Sequence, residues 1–87
     1  MKRWFCYIVE CRDTTLYCGI TTDIEKRISK HNSGKGAKYC ATRRPVILKW
    51  FCELENRSVA SKEECRIKKL SREEKLKLIY EKWNVLC

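Results

Sequence analysis

Short apolar segments alternate with polar segments along the chain, and their spacing separates strands from helices. Residues 4–11 and 16–20 are rich in aromatic and β-branched side chains, and residues 13–15 between them have turn chemistry. These two segments predict a β-hairpin. Residues 46–53 have a similar composition and follow Pro45, which ends any preceding helical segment, so they predict a third strand.

Three segments predict helices. Thr22 and Glu25 have the spacing of a capping box, in which each side chain accepts a hydrogen bond from a free backbone N–H at a helix start. This first helix should run to about Asn32, because residues 32–36 are turn formers. Residues 58–70 predict a second helix.

Ser71 and Glu74 form another capping box and begin the last helix. Its apolar stripe has helical spacing and should pack on the same domain, although a dimer seam is an alternative; it consists of Leu76, Ile79, Tyr80 and Trp83. The element order is therefore strand, strand, helix, strand, helix, helix, which predicts one α+β domain over residues 1–87.

The chain has 87 residues and a net charge of +9, and the charge is concentrated in one stretch. Eight cations and two carboxylates lie between residues 21 and 50, which contribute +6 of that excess. A basic patch of this density attracts polyanions through counterion release, whereas a solvated surface without a ligand is the alternative. Residues 34–36, with the sequence Gly-Lys-Gly, lack the spacing of a P-loop, so nucleotide binding is not expected.

Seven cysteines might suggest a disulfide framework or a metal site. Their number is odd, and no pair has the spacing of a zinc or redox motif, so we expect free thiols. Cys6, Cys18 and Cys52 lie in predicted strands, where a free cysteine acts as a small buried apolar residue.

Two predicted helices carry polar residues on their apolar faces. On the first, the spacing that selects Ile24 and Ile28 also selects Arg27 and His31, which can converge on one anion. Arg27 could instead extend its head group to solvent at the edge of the stripe. On the second helix, Glu63 and Glu64 both lie on the inward face by spacing. The inward carboxylate either pairs with a lysine on the next turn or binds a cation such as Mg²⁺. Periodicity decides neither which glutamate this is nor which partner it has.

The predicted hairpin carries Tyr7 and Tyr17. A three-residue loop would pair Cys11 with Tyr17 and place both phenol rings on one face of the sheet, whereas a two-residue loop would place them on opposite faces. Tyrosines in strands are usually packing residues, so their role depends on what lies beside them.

Together these features resemble the GIY-YIG nuclease superfamily, in its small single-domain branch. The matching segments are Tyr7-Ile8-Val9, residues 16–23 with Tyr17 and Gly19, Arg27 with His31, residues 32–39, and Glu64 within residues 64–70. The first motif reads Phe5-Cys6-Tyr7 and lacks the glycine-isoleucine of the family, but its tyrosine is present. The resemblance implies a three-stranded antiparallel sheet flanked by helices, with the active site across one face.

The resemblance also implies a DNA endonuclease that hydrolyses phosphodiester bonds with low sequence specificity and works in DNA repair or recombination. Tyr7 would act as general base, Arg27 would stabilise the transition state, and Glu64 would hold Mg²⁺ or Mn²⁺. Tyr17 and His31 would position water or phosphate, and His31 is also the alternative base. The residues that we assign to nucleic-acid contacts are Gly19, Lys26, Lys30, Lys35, Lys38, Arg43 and Arg44.

Two other classes of protein remain open: a non-catalytic nucleic-acid-binding module that uses residues 26–49, and a structural or metal-storage protein built on the cysteines. We expect DNA, branched or single-stranded, as the partner and a monomer or weak homodimer as the state. No apolar run approaches the roughly 20 residues of a membrane span, and no signal peptide is evident, so we expect an intracellular location: cytoplasmic, or nuclear in a eukaryote.

Overall fold

The computed structural model describes residues 3–34 and 43–86, with side chains as far as Glu81. Its strands form one antiparallel sheet. The strands are β1 (Trp4–Glu10), β2 (Leu16–Thr21) and β3 (Ile47–Leu54), and the sheet order β2-β1-β3 puts β1 in the centre. The predicted α+β fold and element order are confirmed. Because β1 pairs on both sides, its side chains are the most deeply buried of the three strands.

The hairpin register differs from the prediction by two residues. Tyr17 pairs with Val9, not with Cys11. The loop is longer because Cys11 N–H donates to the Thr15 carbonyl and Thr14 adopts a left-handed φ of 69°. A shift of two residues keeps every side chain on its original face, so Tyr7 and Tyr17 share a face as predicted.

Each helix begins at a side-chain cap. Helix α1 (Ile24–Asn32) is capped by Asp23, whose Oδ1 accepts the Lys26 N–H at 3.0 Å, so the prediction of Thr22 as the capping residue was wrong by one position. Helix α2 (Arg57–Lys68) is capped by the Asn56 side chain, which accepts from Val59 N–H.

Helix α3 (Arg72–Leu86) begins at the predicted capping box. Ser71 N–H donates to Glu74 Oε1 at 3.1 Å, and Glu74 N–H donates to the Ser71 hydroxyl at 3.2 Å. The apolar stripe predicted for this helix is only partly correct, because Ile79 is buried whereas Leu76 is 38% exposed and Tyr80 is 72% exposed. Leu78 packs beside Ile79 in the core instead of Tyr80, and the fourth predicted member, Trp83, lies outside the described side chains.

The two faces of the sheet are covered by different helices. On the tyrosine face, which carries Tyr7, Val9 and Tyr17, α1 packs through Ile28. On the opposite face, the cysteine face, α2 and α3 pack with the larger apolar cluster, which consists of Cys6, Ile8, Cys18, Trp50, Ile67 and Ile79. The cysteines in the described part of the chain are free thiols, as predicted.

An irregularity in β3 changes which residues face the tyrosines. Tyr7 pairs with Phe51 and Val9 pairs with Leu48, so the register shifts by one residue between them. Strict alternation would put Leu48 and Phe51 on opposite faces, but the extra residue places both on the tyrosine face.

Candidate active site

The Tyr7 hydroxyl is the centre of a buried polar cluster on the tyrosine face. It lies 2.9 Å from Nε2 of His31, and Nε of Arg27 donates to it at 3.4 Å. Tyr7 is 1% exposed and His31 is fully buried, so the packing of β1 against α1 fixes the two rings. The i, i+4 spacing of Arg27 and His31 places both side chains on the face of α1 that meets β1.

Tyr17 joins this cluster from β2. Its ring lies edge-on to the His31 ring, with centroids 5.7 Å apart and an interplanar angle of 72°. The Tyr7 and His31 rings have centroids 6.1 Å apart, so both phenol rings lie beside the one imidazole. The structure therefore brings together four of the five side chains predicted for catalysis.

The surroundings of His31 favour its neutral form. Burial lowers the pKa of His31 below its ordinary value of 6.5, and the positive charge of Arg27 acts in the same direction. A neutral imidazole with its proton on Nδ1 leaves Nε2 as an acceptor. The Tyr7 hydroxyl can then accept from Arg27 and donate its own proton to His31.

Because Gly19 has no side chain, the Tyr7 hydroxyl can occupy the space beside its backbone. The two residues are paired across β1 and β2, and a Cβ atom at Gly19 would lie 2.5 Å from the Tyr7 hydroxyl oxygen and 2.7 Å from its Cζ. Sequence reasoning assigned Gly19 to nucleic-acid contacts, and that assignment stays a prediction. The structure shows a different consequence of this glycine, namely the position of the phenol, which no signal in the sequence indicated.

Asn32 fastens the end of α1 to the start of β3 and was not predicted as a site residue. Its side chain accepts from Val46 N–H at 2.7 Å and donates to the Val46 carbonyl at 3.3 Å. These bonds join the residue that directly follows His31 to the segment that leads into β3. An asparagine beside turn formers is typical of a helix end, so its place in the sequence indicated the helix end but not these bonds.

Glu64, the fifth predicted residue, lies on α2, the helix that packs on the cysteine face of the sheet, opposite the tyrosine face. It forms an ion pair with Lys68 at 3.7 Å, and its side chain is 22% exposed. Glu64 lies near Cys18, on the cysteine face of β2. The hydrogen bond with Cys6 lowers the pKa of Cys18, and the negative charge of the Glu64 carboxylate acts in the opposite direction. Its role as a metal ligand stays a prediction, and among the described residues no group of three or more His, Cys, Asp or Glu side chains could hold a metal ion.

Part of the predicted basic surface surrounds a small cavity at the start of α1. The cavity has a volume of about 200 Å³ and is lined by Lys26, Arg27 and Lys30, together with Thr21, Thr22 and Asp23. Because three cations and only one carboxylate line it, the cavity has a positive charge that suits a phosphate group.

The remaining predicted cations are more dispersed. Arg43 forms an ion pair with Asp13 at 3.0 Å, and Arg44 donates to the Asn32 carbonyl at 3.5 Å. Lys35 and Lys38 lie outside the described residues. Their nucleic-acid contacts, like those of Lys26 and Lys30, stay predictions.

Comparison with known proteins agrees with this fold. The family model for the GIY-YIG catalytic domain matches residues 3–77, and the chain therefore belongs to the GIY-YIG family. It is 49% identical over 82 residues to UPF0213 protein SH2523 of Staphylococcus haemolyticus, an alignment that covers 94% of this chain and 100% of that protein. It is 52% identical over 80 residues to UPF0213 protein YsiG of Lactococcus lactis, covering 91% and 77% of the two chains.

Two solved structures are similar to the whole fold. The solution NMR structure of UPF0213 protein BH0048 from Bacillus halodurans has a TM-score of 0.60 and 41% identity, covering 92% of this chain and 85% of that one. The solution NMR structure of protein EF2693 from E. faecalis has a TM-score of 0.63 and 39% identity, covering 98% and 90%.

Membership of this family indicates a nuclease that acts on DNA, in a group whose members generally use a divalent metal. The relatives named above are bacterial. None of the helices in the described part of the chain is long and apolar enough to cross a membrane.

Proposed function

We propose that the protein is a metal-dependent DNA endonuclease that hydrolyses phosphodiester bonds with low sequence specificity, in the cytoplasm and in DNA repair or recombination. The observation that supports this most directly is the Tyr7 hydroxyl between a neutral His31 and the cationic Arg27. Low specificity follows because the cations around the site would contact phosphates, which carry no sequence information.

Hydrolysis needs a base to activate water, and the cluster can provide one. A free tyrosine has a pKa of about 10, so ionising it at pH 7 costs roughly 4 kcal/mol unless neighbours favour the phenolate. The positive charge of Arg27, which donates to the Tyr7 hydroxyl, favours the phenolate, so Tyr7 can act as the base. His31 accepts from the hydroxyl at Nε2 and is the alternative base, since its lowered pKa keeps the imidazole unprotonated at pH 7.

The remaining side chains would handle the phosphate. Arg27 also lines the cavity at the start of α1, so it can neutralise charge on the phosphoryl oxygens while it contacts Tyr7. Tyr17, beside His31, would orient the attacking water. Since Tyr7 is 1% exposed, the hydroxyl reaches water only when a neighbouring side chain moves, and Arg27, which is partly exposed, is suited to that movement.

Glu64 is the residue that would hold Mg²⁺ or Mn²⁺. A single carboxylate completed by water and phosphate oxygens is a common arrangement for Mg²⁺, so the donor set fits, and the ion pair with Lys68 would have to open. The cation would supply neutralisation of charge near the leaving oxygen.

The test is cleavage of supercoiled plasmid and of branched and single-stranded DNA, with Mg²⁺ or with EDTA. Tyr7→Phe and Glu64→Ala should each lower the rate about 100-fold or more. Their matched controls are Tyr80→Phe, at an exposed tyrosine, and Glu63→Ala, at the neighbouring carboxylate of α2, and both should cleave like the wild type.

Cleavage that persists unchanged in both site variants would rule out this site. The rival function, a non-catalytic nucleic-acid-binding module, predicts wild-type protein that binds DNA and leaves it intact with either Mg²⁺ or Mn²⁺.

A further inference from the structure

An aromatic pair lies on the tyrosine face beside the candidate site. The Phe5 and Phe51 rings meet edge to face, with centroids 6.2 Å apart and an interplanar angle of 64°. Phe51 is the strand partner of Tyr7, and Phe5 precedes Tyr7 by two residues, so all three side chains share one face. Paired side chains of this kind start about 5 Å apart, which makes the aromatic pair an immediate neighbour of the Tyr7 ring.

This pair stands outside the buried core of its own face. The core there consists of Tyr7, Val9, Cys11 and Val46, covered by α1 through Ile28, and neither phenylalanine belongs to it. Phe51 is 40% exposed. One exposed phenylalanine is ordinary on a protein surface, so a second feature is needed to indicate a ligand.

The cationic cavity is that second feature. Thr21, which lines the cavity with Lys26, Arg27 and Lys30, is the strand partner of Phe5 on β2. The tyrosine face therefore presents, in order across its strands, a cationic cavity, the Phe5 ring and the Phe51 ring. A cationic recess beside aromatic rings matches the two parts of a nucleotide, an anionic phosphate and a flat base.

We propose that Phe5 and Phe51 form a platform on which an unpaired base of the substrate stacks, while the adjoining phosphate lies in the cavity of Lys26, Arg27 and Lys30. The inference rests on the proposed nuclease function and adds the substrate class, which is single-stranded DNA or DNA with unpaired nucleotides next to the cut. Bases inside a duplex are stacked on one another and do not offer a face to a side chain, whereas an unpaired base does.

Charge favours DNA over the other occupants of an apolar surface. A second copy of this chain, with its own net charge of +9, would bring further cations to a surface that already carries three. A polyanion gains from the same cations through counterion release.

The experiment measures binding in EDTA, where cleavage is prevented. Fluorescence anisotropy gives the dissociation constant for a labelled single strand of about 15 nucleotides and for the same strand in a duplex. The variants are Phe51→Leu and Phe5→Leu, which keep an apolar side chain without a ring, and Phe51→Tyr, which keeps the ring. Tyr80→Leu is the matched control, since Tyr80 is 72% exposed on α3.

Both leucine variants should weaken binding of the single strand about fivefold or more and leave duplex binding unchanged. Phe51→Tyr and Tyr80→Leu should bind like the wild type. A strand with abasic sites should bind the wild type more weakly than the normal strand does. Phe51→Leu should bind this abasic strand with the same affinity as the wild type. Unfolding curves that match the wild type exclude a loss through misfolding.

Equal losses on single strand and duplex, or no loss on either, would overturn the platform. A wild-type dimer in sedimentation that Phe51→Leu converts to a monomer would overturn it in favour of a second copy. Failure of the nuclease proposal is seen separately, as wild-type protein that binds single strands through Phe51 but does not cleave them with Mg²⁺ or Mn²⁺. Wild-type protein that binds no DNA would overturn both.

Discussion

Adding one methyl group at Gly19 should displace the Tyr7 phenol. The new Cβ would lie 2.5 Å from the Tyr7 hydroxyl oxygen, and an ordinary contact is at least 3.4 Å, so the hydroxyl has to move by about 0.9 Å. Tyr7 is 1% exposed, so the side chains packed around it oppose that movement. Such overpacking costs roughly 1–3 kcal/mol in the free energy of unfolding, and each kcal/mol lowers the melting temperature by about 4–8 °C in a domain of this size.

The same displacement should have a larger effect on the cleavage rate than on the free energy of unfolding. A shift of about 0.9 Å changes the geometry of the hydrogen bond between the hydroxyl and Nε2 of His31, which now has a length of 2.9 Å. Misplacement of a reacting group by about 1 Å can lower a rate about 100-fold. We therefore expect Gly19→Ala to be folded at 25 °C and nearly inactive.

The assay combines urea unfolding, followed by circular dichroism, with cleavage rates on folded protein. Ile79→Val, in the core of the cysteine face, is the control, because it should lose about 0.5–1.5 kcal/mol of stability and keep its activity. Adding Tyr7→Phe to Gly19→Ala removes the closest atom and should recover part of the stability, but not all, because the ring carbon Cζ would still lie 2.7 Å from the new methyl group. A Gly19→Ala protein as stable and active as the wild type would refute this reasoning.

Three further predictions concern pH, charge and capping. Burial, with the neighbouring Arg27 charge, lowers the pKa of His31, so the unfolded chain binds a proton more readily than the folded protein. The free energy of unfolding should therefore be highest above pH 6.5 and fall below it. Urea unfolding at about pH 7.5 and at about pH 5 should show this decrease in the wild type but not in His31→Gln. Lys26→Ala and Lys30→Ala should each reduce the slope of log affinity against log salt by about 0.9 on duplex DNA, and an unchanged slope would remove that lysine from the phosphate contacts. Ser71→Ala removes the hydroxyl that caps α3 and should lower the free energy of unfolding by about 1 kcal/mol, with no change in the cleavage rate of the folded protein.

The features of this fold that sequence predicts are those set by side-chain periodicity. Alternation of apolar residues locates the three strands, and the helical spacing of Arg27 and His31 indicates that both lie along the inner edge of α1, where the structure has them. Whether Tyr7 and Tyr17 share a face depends only on whether the loop has an odd or an even number of residues, so this prediction is correct although the predicted register is not.

The features that sequence misses depend on competition between neighbouring residues of similar chemistry. Thr22 and Asp23 are both good capping residues, and only the backbone decides that Asp23 is used. The extra residue in β3, which puts Leu48 and Phe51 on one face, has no marker in the sequence.

Glu63 and Glu64 present the same difficulty at the site. Each has a basic partner on its own helix: Arg66 Nε donates to Glu63 at 2.6 Å, and Lys68 pairs with Glu64 at 3.7 Å. Two adjacent carboxylates on a helix are equivalent by spacing and differ only in what the tertiary structure brings near them, so periodicity could not choose between them as the predicted metal ligand.

The pairing of Tyr17 with Val9 implies a rule for how this hairpin tolerates added residues. Two residues inserted between Glu10 and Leu16 would lengthen the loop and leave β2 in its present orientation. A slip of β2 along β1 by one residue would instead turn β2 over and put Cys18 beside His31 in place of Tyr17 and Gly19. Changes of length at this tip should therefore be tolerated only where they leave the β1–β2 register as it is, even though the tip itself contacts none of the site side chains.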